Sequence, residues 1–231
     1  MGKTLAVITA RGGSKRIPKK NIKEFCGKPI IAYSIEAALK SEIFDEVMVS
    51  TDSREIAEIA IQYGAKVPFF RSEKTSDDYA TTADVLTEVL EEYKKQGKIF
   101  EYICCIYPTA PFVTKEKLQV AMHLLKENKD MDAVIPVVKF SFPPQRALVL
   151  ENQEVKIMNS DIYQMRSQDL EPQYNECGQY YCMKVDSFLK TQRLVLEHTI
   201  PIITSEMEVQ DIDDESDWKI AELKYQMMKR Q

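Results

Sequence analysis

The 231-residue sequence holds no apolar run that approaches the ~20 residues of a membrane-spanning helix. Its first residues read as a strand and not as a secretion signal, so a cytoplasmic location without membrane contact is expected. Histidine is scarce: His123 falls in a helical stretch and His198 near a strand start, and the two form no constellation. That argues against imidazole catalysis. The five cysteines (26, 104, 105, 177, 182) are odd in number and lack metal-ligand spacing. Cys104 and Cys105 sit side by side in an apolar strand, point to opposite faces, and read as small core residues. Repeats and low-complexity segments are missing too. Acidic residues are absent up to Lys23, a stretch with seven Lys or Arg, although the whole chain carries a net charge of −5. Positive charge gathered at one end of an acidic protein suits a polyphosphate pocket better than a nucleic-acid surface.

What stands there is an apolar run, Thr4 to Thr9, leading straight into Ala10-Arg11-Gly12-Gly13-Ser14-Lys15-Arg16-Ile17-Pro18-Lys19-Lys20-Asn21. Glycines let backbone N–H groups approach a ligand closely, and clustered Arg and Lys neutralise an anion. The loop contains neither G-x-x-x-x-G-K-[ST] nor G-x-G-x-x-G, so it is neither a P-loop nor a dinucleotide fingerprint. A plain solvated basic loop is the alternative.

Strand and helix patterns alternate through the first half. A helix is expected near Ile30 to Lys40 with Pro29 at its first position. A strand follows at Glu46 to Ser50, with Asp52 and Glu55 as a capping box for the next helix, which Gly64 ends. Lys66 to Phe70 reads as a strand and Ser72 to Ala80 as a polar ligand loop. Thr82 to Gln96 is helical, Tyr102 to Tyr107 a central strand, Thr114 to Lys126 a helix and Ala133 to Val138 another strand. The pattern implies an α/β, Rossmann-like chain: a mostly parallel twisted sheet flanked by helices, with ligands bound at the carboxyl ends of the strands. Residues 140–175 break the rhythm with Pro143-Pro144, two short apolar runs around Glu151-Asn152-Gln153, and several aromatics, so a hairpin and loop are expected. Gly178 to Met183 and Ile200 to Thr204 rejoin the sheet, and a last helix spans Glu215 to Lys229. Residues 1–231 then form one domain with the 140–175 excursion.

Seven acids and no cation fill residues 205–217. In an extended Asp211-Ile212-Asp213 the two carboxylates share one face and Ile212 faces the core. Such a pair can hold Mg²⁺ while phosphate and water oxygens complete its shell. Capping of the last helix is the other reading, adopted for Asp214 and Asp217.

The loop A-R-G-G-S-K-R-I-P-K-K-N resembles the signature loop of the acylneuraminate cytidylyltransferase family, and the resemblance extends over nearly the whole chain. Those enzymes join CTP to a nonulosonic acid, giving a CMP-sugar and pyrophosphate. The resemblance is closest to the branch that activates pseudaminic acid; sialate or legionaminate transfer, or a non-catalytic CTP-binding module, are the alternatives. It implies that Arg11 and Lys15 act on the phosphates with Asp213, and that Ala10, Gly12, Gly13, Ser14 and Lys20 line the nucleotide site. It further implies that Asn21 holds the ribose, and that Arg71 with Ala80-Thr81 reads cytosine, although Arg71 also fits a plain strand-end residue. D-I-D before a terminal helix matches the family's Mg²⁺ site. Tyr107-Pro108-Thr109-Ala110-Pro111 stands where sialate-type members carry Leu-Gln-Pro-Thr-Ser-Pro, so Tyr107 replaces a ligand-contacting glutamine. Arg166-Ser167-Gln168-Asp169 and Glu176 to Tyr181 match the pseudaminate branch. Sugar contacts are accordingly expected from Tyr107, Thr109, Arg146, Arg166, Gln168, Gln179 and Tyr181, with Arg166 alternatively a dimer-interface residue. The excursion is implied to be a dimerisation arm, and the partners to be CTP, a nonulosonic acid and a second copy of the chain, with no nucleic acid.

Overall fold

The computed structural model describes residues 2–229. Strands and helices alternate in the order β1 (Thr4–Thr9), β2 (Glu24–Phe25), β3 (Lys28–Pro29), α1 (Ile31–Ser41), β4 (Glu46–Ser50), α2 (Arg54–Gln62), α3 (Thr82–Lys95), β5 (Tyr102–Ile106), α4 (Lys115–Glu127) and β6 (Ala133–Lys139). The chain continues through β7 (Leu148–Glu151), β8 (Glu154–Ile157), α5 (Ser160–Tyr163), β9 (Tyr174–Glu176), β10 (Tyr180–Lys184), α6 (Val185–Thr191), β11 (Thr199–Ile203) and α7 (Glu215–Lys229).

One sheet carries the order β11-β6-β10-β5-β1-β4, with β9 on β6. β1 runs parallel to β4 and β5, and β11 parallel to β6, while β10 is antiparallel to both β5 and β6. The mostly parallel, helix-flanked sheet agrees with the expectation, but the reversed β10 at its centre was not foreseen. An apolar strand buried on both faces shows no sign of its direction.

The period-2 alternation of strands feeds two apolar layers. Ala6, Ile8 and Cys104 face α1, α2 and α4, whereas Leu5, Val7 and Cys105 face α3 and α6. The adjacent cysteines thus point to opposite faces, and both are fully buried. A third cluster joins the basic loop to the end of the chain: Ile17, Phe25, Ile30, Tyr33, Phe112 and Ile212 pack with Trp218, Ala221 and Tyr225 of α7. Phe25 lies 5.6 Å from each of the Tyr33, Trp218 and Tyr225 rings in edge-to-face contacts, each worth about 0.5–1.5 kcal/mol beyond burial. This cluster positions the functional site.

Three local expectations need correction. Residues 66–70 form no strand: a single parallel bridge joins Met48 and Lys66. The Lys66 amide donates to Val47 and its carbonyl accepts from Val49; residue 68, which would donate next, is a proline with no N–H. Pro29 does not open α1, because it pairs with Glu24 in the β2–β3 hairpin, whose turn holds Cys26 and Gly27 at positive φ. Ser53, not Asp52, caps α2 by accepting from the Ile56 amide.

The excursion leaves the sheet after β6 and returns through β9, which pairs Tyr174 with Lys139 and Glu176 with Val137. Its two apolar runs form the β7–β8 hairpin, turned at Asn152 and Gln153, both at positive φ. No helix among the described residues is long and apolar enough to cross a membrane.

Candidate active site

A cleft of about 680 Å³ opens at the carboxyl ends of β1, β4 and β5. This edge of a parallel sheet is where loops are free to bind ligands. Arg11, Ser14, Lys15, Lys20, Asn21, Arg71, Ala80, Tyr107 and Thr109 line it together, as the sequence led us to expect. Arg16 joins them, giving five cations against the carboxylates of Asp77 and Asp78. The cleft is therefore electropositive within an acidic protein.

The basic loop is shaped by what its polar atoms reach. Ile17 is anchored in the third cluster, and the Asn21 side chain, itself buried, donates to the Arg11 carbonyl at 2.9 Å. The Ala10 amide donates to the Ser50 carbonyl, and the Gly12 amide to Asp52 Oδ1 at 2.8 Å. Gly12 fits closely there, since a Cβ would come within 3.1 Å of the Ser53 Cβ. Its amide is thus taken by the protein, which corrects the expectation that both glycine amides cradle a ligand. Gly13 faces open space.

Arg71 follows a segment that forms no strand, and it is no loose surface group. Its Nη2 donates to the Ser50 carbonyl at 2.8 Å and its Nε to Ser50 Oγ at 3.2 Å. Burial pulls the guanidinium below its usual value, and Asp52 and Glu88 oppose that shift. Ala80 lines the cleft, but the Thr81 side chain is committed elsewhere. It caps α3 by accepting from the Asp84 amide, and Asp84 accepts from the Thr81 amide in return. The Thr81 backbone carbonyl is engaged as well, accepting from the Val85 amide at 3.2 Å.

The acidic segment is joined to the loop by direct contacts. Lys20 Nζ donates to the Ile212 carbonyl at 2.7 Å, and Arg16 Nη2 pairs with Asp213 Oδ1 at 2.8 Å. Burial lowers the Lys20 ammonium, while Asp213 and Asp211 work to keep it charged. Ile212 is buried between an exposed Asp211 and a half-exposed Asp213, the arrangement expected of an extended D-I-D. Asp214 and Asp217 form a reciprocal cap on α7. Asp214 Oδ1 accepts from the Asp217 amide at 3.0 Å, and Asp217 Oδ2 from the Asp214 amide at 3.1 Å. Among the described residues no group of three or more His, Cys, Asp or Glu side chains is placed to hold a metal. Such a site would draw on the carboxylates of Asp211 and Asp213, of which Asp213 Oδ1 is already paired with Arg16. That hard-oxygen set suits Mg²⁺, which keeps most of its positions for water and phosphate oxygens.

The expected sugar side divides. Tyr107 lines the cleft, its hydroxyl 3.3 Å from Thr82 Oγ1. Tyr181 does not reach the cleft: it is buried beneath Tyr107 with ring centroids 5.6 Å apart, and its hydroxyl donates to Glu176 at 3.1 Å. Gln179 is buried as well, donating to the Glu208 carbonyl at 2.7 Å, while its own carbonyl accepts from the Tyr107 amide. The Tyr181 ring and the Gln179 backbone thus support Tyr107 from below. Arg146, Arg166 and Gln168 stay on the excursion and do not line the cleft. Arg166 pairs with Asp169 at 2.8 Å, and Arg146 donates to Ser167 Oγ at 2.8 Å while lying over the Tyr163 ring.

Sequence reasoning missed Asp52, Asp77, Asp78 and Thr82. The available signal was an acidic pair inside a polar loop, opposite a loop made of cations.

Comparison with known proteins gives the family. Residues 5–221 match the family model described as Cytidylyltransferase. The chain is 40% identical to the pseudaminic acid cytidylyltransferase of Campylobacter jejuni, over 97% of each chain. It is 33% identical to the CMP-N,N'-diacetyllegionaminic acid synthase of Legionella pneumophila, over 94% of each. A solved CMP:2-keto-3-deoxy-manno-octonic acid synthetase, complexed with CTP, shares the fold with a TM-score of 0.70 at 17% identity, over 99% of this chain and 100% of that one. With a family model spanning most of its length and a relative 40% identical over 97% of each chain, the chain belongs to the cytidylyltransferase family.

Proposed function

We propose that this protein transfers the cytidylyl group of CTP to a nonulosonic acid, pseudaminic acid before others, releasing pyrophosphate. The observation that carries the reading is the convergence of Arg11, Lys15, Lys20 and Arg71 on one cleft, with Asp211-Ile212-Asp213 tied to it through Lys20. The 40% identity to the C. jejuni enzyme favours pseudaminic acid among the sugars.

In this reading the sugar's anomeric hydroxyl attacks the α-phosphorus. A bond forms between that oxygen and phosphorus as the hydroxyl proton passes to solvent, the bond from the α-phosphorus to the bridging oxygen breaks, and pyrophosphate leaves with that oxygen and its electron pair. Phosphoryl chemistry asks the protein for position and charge neutralisation more than for covalent work. Arg11 presents a planar fork to two phosphate oxygens, and Lys15 and Lys20 add charge beside it. Asn21 lines the ribose side, and Arg71 with the backbone at Ala80 and Thr81 meets the base. Asp211 and Asp213 would hold Mg²⁺, which supplies further neutralisation at the phosphates when bound. Tyr107 and Thr109 begin the sugar side.

Residues 1–231 are read as one domain, with the excursion as the contact of a homodimer. Support comes from its apolar side chains, Leu148, Leu150, Val155, Ile157 and Met158, which are all exposed in the single chain. Arg166 and Gln168, distant from their own cleft, would then serve a sugar site at the subunit boundary.

The test is pyrophosphate release from CTP and Mg²⁺ with a panel of nonulosonic acids. Pseudaminic acid is expected to give the highest kcat/KM. Preference for a legionaminic or sialic acid would move the assignment to the sister activity, and no release with any sugar would defeat the catalytic reading.

A further inference from the structure

Residues 76–80 form an exposed span that is tied down at both ends. Before it, Thr75 is buried with its hydroxyl on Glu88 Oε2, and the Ser72 amide donates to Glu88 Oε1 at 2.8 Å. After it, the Thr81–Asp84 cap fixes the start of α3. Between these anchors Asp77 Oδ1 accepts the amides of Tyr79 at 2.9 Å and Ala80 at 2.7 Å, folding the span into a turn. The turn delivers the Asp77 carbonyl (3.1 Å) and Asp78 Oδ1 (2.9 Å) to the same Nη1 of Arg11. The other oxygen of Asp78 meets Lys15 Nζ. One carboxylate therefore occupies two of the three cations assigned above to the triphosphate.

We propose that Asp78 is a built-in competitor for the nucleotide's phosphates, which must be displaced for CTP to seat and which returns as pyrophosphate leaves. The inference rests on the reading of Arg11 and Lys15 as phosphate holders. A triphosphate brings several charges and many acceptor oxygens against a single carboxylate, so it wins the exchange. The side chain of Asp78 is 45% exposed; water and salt weaken such a contact enough for it to yield. Its effect on the free protein is still measurable, because apparent affinity falls by the fraction of time the cations are free. The anchors at Glu88 and Asp84 let the span lift without unfolding α3. Tyr79, 91% exposed at its tip, has no packing to lose.

Calorimetric titration of CTP, pyrophosphate and cytidine, without sugar, tests this on wild type, Asp78→Asn and Asp78→Ala. Removing the charge should tighten CTP and pyrophosphate by about three- to ten-fold and leave cytidine unchanged, since cytidine carries no phosphate. Unchanged or weaker CTP binding would overturn the proposal, the weaker result making Asp78 a support that positions Arg11. Equal tightening of cytidine would also overturn it, because the effect would then be loop opening and not charge. Arg11→Ala separates the two readings. If it leaves CTP affinity intact, the phosphate assignment itself fails; if it weakens CTP while both Asp78 variants bind as wild type, only the competitor fails.

Discussion

Around the cleft, two of the cations border buried carbon. Arg16 flanks Ile17 and Lys20 reaches the carbonyl of Ile212, and both isoleucines are 1% exposed in the cluster built on α7. On the arm the cations hold only their neighbours. Arg166 pairs three residues along with Asp169, while Phe142 and Leu150 stand 87% and 78% exposed. Fixed side chains cost little further entropy when a ligand arrives, whereas free ones must still be ordered. Within the single chain the cations assigned to the nucleotide line one cleft, whereas Arg146, Arg166 and Gln168 stay outside it.

The sharpest way to break this contrast is at Arg11. Arg11→Lys keeps the charge but removes the fork, so turnover should fall by about 10²-fold or more while the thermal midpoint holds, because the side chain packs against no core. Near-normal kinetics would show that the cleft needs only charge, and would place it on a par with the arm.

On the arm the expected effect is smaller and of another kind. Arg166→Ala should raise the sugar KM by about ten-fold with CTP affinity unchanged. Equal damage to both substrates would put Arg166 at the phosphates and erase the division of labour. Light scattering on the same samples decides the assembly: a fully active monomer at micromolar concentration would remove the interface reading of the arm.

How much of this was legible in the sequence follows the same divide. The strands at 4–9, 46–50 and 102–106, the hairpin turn at Asn152-Gln153 and the final helix could be read locally, since periodicity and turn residues act over a few positions. Ile212 between two acids announced its own burial. What escaped depends on pairing across the chain. Asp78 meets Arg11 over 67 residues and Asp52 meets Gly12 over 40, and no local pattern encodes either. Direction escaped as well: β10 is apolar on both faces, and such a strand reads the same whichever way it runs. For Tyr181 and Gln179, the resemblance to the pseudaminate branch suggested ligand contact, but position in that buried strand and at its entry turned both side chains inward.

The smallest predicted effect separates two kinds of acid that lie side by side. Asp214 accepts from the amides of Ser216 and Asp217 at the start of α7, whereas Asp211 makes no such cap. Asp214→Ala should therefore lower the thermal midpoint by about 2–4 °C and leave turnover nearly intact; Asp211→Ala should do the reverse. The hydrogen bonds from Ser216 and Asp217 hold the Asp214 carboxyl below its usual range. A depressed carboxylate stabilises the fold above its unfolded value, about 3.9 for aspartate. That contribution is lost as pH falls through the folded value. The gap in midpoint between wild type and Asp214→Ala should accordingly be full near neutrality and close in acid. A gap that persists in acid would mean that the cap acts through something other than its charge. Loss of turnover in Asp214→Ala at full stability would extend the metal-binding role one residue beyond Asp213.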